Sequence, residues 1–186
     1  MGAALASENS REKRYAGVFA RIGAYLIDCM ILYVSLILWQ AALYVINPLL
    51  RIIRSGQQPT GTQFHLWVFA TVTIPFLLYF ALILRTARQA TLGMRLLKLT
   101  VTTESGGRVS LGQALLRSAV MLIPFELNHA SMFHLAPRDA SPSMAFWIGT
   151  AGVWAAIAIY IISILLTRRR QSVHDLVAGT IVRRAG

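Results

Sequence analysis

Two stretches of this chain, Phe64–Leu84 and Met144–Leu166, are almost unbroken apolar runs in which His65 is the only side chain that readily carries charge. An α-helix rises about 1.5 Å per residue, so runs of some 20 residues match a hydrocarbon core roughly 30 Å thick. Both therefore read as transmembrane helices. A third run, Ile22–Ile46, is long enough for a tilted span although it carries Asp28, with Arg21 at its start. One Asp near the helix centre costs about 3 kcal/mol on translocon scales, and the surrounding Leu, Ile, Val and Phe residues outweigh it. The stretch is too long for a signal peptide and no small-residue cleavage site follows it.

A fourth segment, Leu111–Leu127, is shorter and contains Arg117, Pro124 and Glu126. On its own it reads equally as a crossing, a re-entrant helix or an interfacial one. Charge distribution favours a crossing. If the segment spans, Arg11, Lys13, Arg14, Arg85, Arg88, Arg95, Lys98, Arg108, Arg168, Arg169, Arg170, Arg183 and Arg184 share one side, against Arg51, Arg54 and Arg138 on the other. Basic loops stay in the cytoplasm, so the expectation is an even number of spans with both termini cytoplasmic. Trp39, Tyr44, Trp67 and Trp147 then fall near the outer interface, where amphipathic rings sit.

Composition closes off the soluble alternatives. Of 186 residues, 56% are hydrophobic and 13% charged, more apolar surface than a water-soluble domain of this size can bury. The net charge of +11 would suggest nucleic acid in a soluble protein. Here the basic residues flank spans, where they orient the chain and attract anionic lipid headgroups, and no nucleic-acid partner is expected. The fold class is an all-α integral membrane protein: a helical bundle of about four spans (20–46, 64–84, 111–128 and 144–166) with short amphipathic interfacial helices and a small cytoplasmic β-hairpin. Residues 1–14 are polar and aperiodic and read as a disordered tail ahead of one transmembrane domain, 15–186.

Between the spans the signals are local. Arg51–Thr62 carries Gly56, Pro59 and Gly61 and reads as a short outer loop. Thr91 caps a short amphipathic helix Leu92–Leu97, Leu99–Thr102 alternates like a strand, and Glu104–Gly107 is turn chemistry that lets Arg108–Val109 pair back. Ser110 with Gln113 forms a capping box for the next helix. Ser172 caps a helix around Val173–Ala178 that ends at Gly179.

Ionisable side chains at membrane depth are functional candidates because they are costly unless paired or hydrated. Arg21 and Asp28 are seven positions apart, on one face of the first helix, but about 10.5 Å apart along its axis. Each therefore needs a partner from elsewhere, and Arg117, His174 and Asp175 are the candidates. Asp28 is either a proton or cation site reached through water, or a buried acceptor for a neighbouring helix. Arg117 and Glu126 point to nearly opposite faces and do not pair. Glu126 gathers with Asn128, His129 and His134 near the outer mouth, in a spacing too open for a metal site. His174-Asp175 alone is weak support for metal chemistry, and Cys29 reads as a small buried hydrophobe. With no Gly-rich phosphate loop and no Ser-His-Asp arrangement, neither enzymatic activity nor a cofactor is expected.

Three local patterns resemble the RDD family of small bacterial integral membrane proteins, named for one Arg and two Asp. They are Gly17-Val18-Phe19-Ala20-Arg21 leading to Tyr25-Leu26-Ile27-Asp28; Thr91-Leu92-Gly93-Met94-Arg95-Leu96-Leu97 with Val101 and Ser110–Arg117; and His174–Val182. The resemblance places the family's three named residues on Arg21, Asp28 and Asp175; Arg117, His174, Glu126 and Arg95 are supporting candidates read from this chain's own charged residues. It departs from the common pattern at Met94 and in the His-containing loop before the last span. It implies a multi-pass protein of the bacterial inner membrane. Members are described variously as cation/proton antiporters and as accessory or scaffold modules, so both remain open. Four spans are few for an enclosed pathway, and a transporter would need a homo-oligomer or a second membrane subunit.

Overall fold

The computed structural model describes residues 15–43, 55–57, 59–135 and 142–185. The tail 1–14, Tyr44, Arg51, Arg54 and Arg138 lie outside the described residues. The chain is mostly helical: α1 (Val18–Leu43), α2 (Gly61–Val68), a π-helical turn (Phe69–Thr73), α3 (Ile74–Leu84), α4 (Leu92–Leu96), β1 (Leu99–Thr103), α5 (Leu111–Ala130), a second π-helical turn (Ser131–Leu135), α6 (Met144–Leu166), α7 (Val173–Ala178) and β2 (Thr180–Arg184). Three stretches are long and apolar enough to cross a membrane: Val18–Ala41, Gly61–Leu84 and Met144–Leu166. Large side chains on them, such as Phe19, Met30, Trp147, Ile148 and Leu165, point outward and are exposed. An outward apolar surface of this extent is what lipid would cover.

The middle of the bundle is α5, which packs against α3, α6 and α7. Ala114, Arg117, Ser118 and Leu122 recur every three or four residues and form its buried stripe. Leu116, Ile123 and Leu127 remain exposed on it. One core, around Ala24, Leu84, Leu99, Val101, Ala114 and Val182, joins the helix ends to the sheet. A second, of Leu32, Phe80 and Leu122 with surrounding aromatics, lies further along the helices.

Most termini fall where capping chemistry puts them. Thr91 accepts the Met94 amide, Ser110 and Gln113 form a capping box, and Gly179 ends α7 in the left-handed region at φ 62°. The α2 helix starts three residues earlier than the hydropathy suggests, because Thr60 and Gln63 make a reciprocal capping box that carries the helix back to Gly61.

The hairpin expectation needs correction. The partner of β1 is β2, antiparallel, with Val101 opposite Val182, and Tyr15 bridges to Arg183 on its other side. Val109 is buried in the core, and Arg85 bonds its carbonyl at 3.2 Å while accepting from Arg108 at 3.2 Å. Ser110 then caps α5 at once, which leaves Arg108–Val109 no length for a strand.

Candidate functional site

The named charges separate into two groups. In the first, Asp175 is fully buried and held from four sides. Its Oδ2 meets Arg21 Nη1 at 2.5 Å and accepts the Ser172 amide at 3.2 Å; its Oδ1 accepts from Arg117 Nε at 2.9 Å and the Thr180 hydroxyl at 3.3 Å. The position follows from the local sequence: as the third residue of α7, Asp175 reaches back to its own helix start. Arg21 also donates to Ala16 O at 3.1 Å, and the Ala16 amide bonds Val182 O. One carboxylate thus fastens the start of α1, the middle of α5, α7 and β2 to each other.

Burial alone would raise the Asp175 pKa, but Arg117, His174 and Arg21 outweigh it and hold the carboxyl well below the usual carboxylate range. Its neighbour His174 lies 3.7 Å from Asp175 Oδ1. Burial pushes the imidazole down to about 3, against the pull of Asp175 and with help from Arg117 and Arg21. The unfolded chain takes up this proton near pH 6.5 and the folded one does not. Stability is therefore undiminished by His174 above pH 6.5 and falls as pH drops from there towards 3, by up to about 1.4 kcal/mol per pH unit. Melting temperatures in detergent between pH 7 and 4 are expected to fall less steeply in His174→Gln than in the parent protein.

Asp28 stands apart. It is 1% exposed, and its Oδ1 accepts the Gly93 amide at 2.8 Å and the Tyr79 hydroxyl at 3.1 Å. Neither bond uses Oδ2. Among the described residues no salt bridge includes it. The expectation that a guanidinium and the Asp175 segment gather around Asp28 is therefore corrected: both arginines go to Asp175, and Asp28 is capped by the amide of α4 and a tyrosine from α3. The glycine is required there, since a Cβ on Gly93 would fall 2.0 Å from Ala24 O.

Two supporting candidates bond neither acid. Arg95 turns to its own loop, donating to Ala90 O at 3.0 Å and Thr86 Oγ1 at 3.3 Å. Glu126 is nine residues along α5 from Arg117, about 13.5 Å by helix rise, and meets His65 and His129. Asn128, expected beside it, contacts Met132 Sδ instead. Among the described residues no group of three or more His, Cys, Asp or Glu is placed to hold a metal ion. Reading the sequence missed Tyr79, Gly93, Thr180, His65 and Thr73 as partners. The single phenol in the apolar run Phe64–Leu84 and a glycine inside a capped five-residue helix are the signals that mark the first two.

A family model described as RDD family matches residues 15–179. No curated protein matches the chain.

Proposed function

The chain belongs to the RDD family, and from that premise we propose that it is a four-span protein of the bacterial inner membrane, with both termini cytoplasmic, that exchanges protons at Asp28 for Na⁺ or another small solute. The observation that carries the reading is the contrast between the two buried acids. Asp175 has two guanidinium groups, whereas Asp28 has hydrogen-bond donors and makes no ion pair among the described residues. A buried carboxylate without counter-charge is a place where a proton or a small cation lowers the free energy. The Arg21–Asp175–Arg117 group is the structural lock that holds the cytoplasmic cap in place.

The four-span arrangement is supported by α5, which turns Arg117 inward and leaves Leu116, Ile123 and Leu127 for lipid, and by the basic residues on one side of it. Arg168–Arg170 next to the last span suits anionic headgroups. A pathway enclosed by so few helices calls for a homo-oligomer or a second membrane subunit, and no catalytic step is assigned.

A second reading, a scaffold or assembly module that moves nothing, is favoured by one feature: the Gly93 amide bonded to Asp28 belongs to α4, and Tyr79 also takes the Leu92 amide at 3.4 Å, so the same contacts dock that helix. Proteoliposomes under imposed pH and Na⁺ gradients separate the two. The transport reading expects exchange by the parent protein and a loss of roughly tenfold or more in Asp28→Asn, with the melting temperature nearly unchanged. No exchange by the parent protein, or an Asp28→Asn variant that fails only by unfolding, leaves the scaffold.

A further inference from the structure

The end of the bundle away from the sheet holds three of the chain's four histidines around one carboxylate. Glu126 Oε2 lies 3.2 Å from His65 Nε2, and Oε1 lies 3.1 Å from His129 Nδ1 and accepts the Thr73 hydroxyl. His65 Nδ1 lies 2.9 Å from His134 Nε2. The result is a continuous row, His134–His65–Glu126–His129. Four separate elements build it: α2 brings His65, α5 brings Glu126 and His129, and the two π-helical turns bring Thr73 and His134. Single π turns inside helices recur at functional sites because they redirect side chains out of the α-helical register. A Cβ on Gly61 would lie 1.9 Å from Phe133 O, so backbone contact sets the spacing between His65 and His134. Among the described residues no other titratable group faces the row. The α6 helix beside the second π turn contributes only Tyr160, which donates to Val120 O.

The row also has a fixed relation to Asp28. Tyr79, which donates to Asp28, is six residues from Thr73, which donates to Glu126, an axial rise of about 9 Å. Between the two acids sits the apolar cluster of Leu32, Phe80 and Leu122, flanked by Tyr25, Phe76 and Met121. Leu32 is one turn beyond Asp28, and Leu122 one turn before Glu126. His134, at the end of the row, is exposed and lines a cleft of about 370 Å³ between the second π turn and α6.

We infer that the His134–His65–Glu126–His129 row is a second, outward-facing proton-binding station, separated from Asp28 by an apolar plug; this rests on the transport reading of Asp28. Imidazole suits the task because its charge change falls between pH 5 and 8 and its two nitrogens can accept on one side while donating on the other. With His65 neutral and its own proton on Nε2, Nδ1 takes a proton from Nε2 of the His134 imidazolium, and the His65 imidazolium so formed gives its Nε2 proton to Glu126 Oε2, one N–H bond breaking as one O–H bond forms. His134, left neutral, takes up the next proton from the aqueous side. One proton enters the row, one arrives on Glu126, and the plug keeps it from Asp28 until the helices move.

The test measures Na⁺-driven proton exchange by the full chain in proteoliposomes across external pH 5 to 8. Glu126→Gln retains an acceptor for Thr73 and is expected to lower flux by about tenfold and flatten its pH profile. His134→Gln, at an exposed position, is expected to flatten the profile even if Glu126→Gln fails to fold. Parent-like flux and profile in either folded variant overturns the inference and leaves Asp28 in place; no exchange by the parent protein overturns both. Block of the parent by micromolar Zn²⁺, with full and Zn²⁺-resistant flux in Glu126→Gln, also overturns it, because the row would then be a metal site.

Discussion

Asp175→Asn is expected to cost about 3–5 kcal/mol of stability, the range for removing one partner of a buried ion pair. The substitution keeps the shape and leaves the Ser172 amide and Thr180 hydroxyl something to bond, but it strands Arg21, 9% exposed, and Arg117, 2% exposed, with no carboxylate between them. Arg21→Gln and Arg117→Gln each leave the other guanidinium in place and are expected to cost less. Because the Asp175 pKa is lowered on folding, the stabilisation is complete above its ordinary value of 3.8 and is lost only as pH falls towards the lower, folded value. At neutral pH the whole contribution is present, so the loss reads directly as a lower melting temperature in detergent. Protein that melts with the parent would mean that the two arginines find other anions.

Gly93→Ala is expected to destabilise by about 3 kcal/mol, the upper end of what overpacking costs. The added methyl would stand 2.0 Å from Ala24 O, 2.9 Å from Ala24 C and 3.1 Å from Asp28 Cγ. Two of those three atoms are backbone of α1, so no side chain can swing aside and α4 has to lift off. Lifting α4 withdraws the Gly93 amide from Asp28 Oδ1 and leaves a buried carboxylate with one donor fewer, which adds to the loss. Gly112→Ala is the control: nothing lies within 4 Å of its Cβ position, and alanine is the better helix former there by about 1 kcal/mol. The pair separates a steric role for Gly93 from the general cost of changing a glycine.

Much of this was legible from residue order because it depends on neighbours. The α6 helix coincides with the apolar run Met144–Leu166, since nothing inside the run interrupts it and Ser143 caps its start. Thr91, Ser110, Ser172 and Gly179 mark the ends of their helices through bonds that span only a few residues. Pairing across the chain was not legible in the same way. Arg21 and Asp28 share a face of one helix, yet Arg21 bonds Asp175, 154 residues away, because α7 delivers its carboxylate to the base of α1. β1 could have turned back on Arg108–Val109, and only the burial of Ile181 and Val182 shows why the distant strand wins. His65 lies in an apolar run with no charged neighbour, and its role depends on Glu126, 61 positions on. Local chemistry therefore fixed the helices, while the division of labour between the two acids is a property of the assembled bundle.

That division is tested most directly by two double-mutant cycles on thermal or denaturant unfolding in detergent at neutral pH. Arg21→Gln combined with Asp175→Asn is expected to show a coupling of about 1–3 kcal/mol, as residues in direct ionic contact do. Arg21→Gln combined with Asp28→Asn, whose sites are about 10 Å apart and share no partner, is expected to be additive within about 0.5 kcal/mol. A coupling to Asp28 as large as that to Asp175 would contradict the account, because Asp28 would then be the arginine's partner and no longer the acid without an ion pair among the described residues.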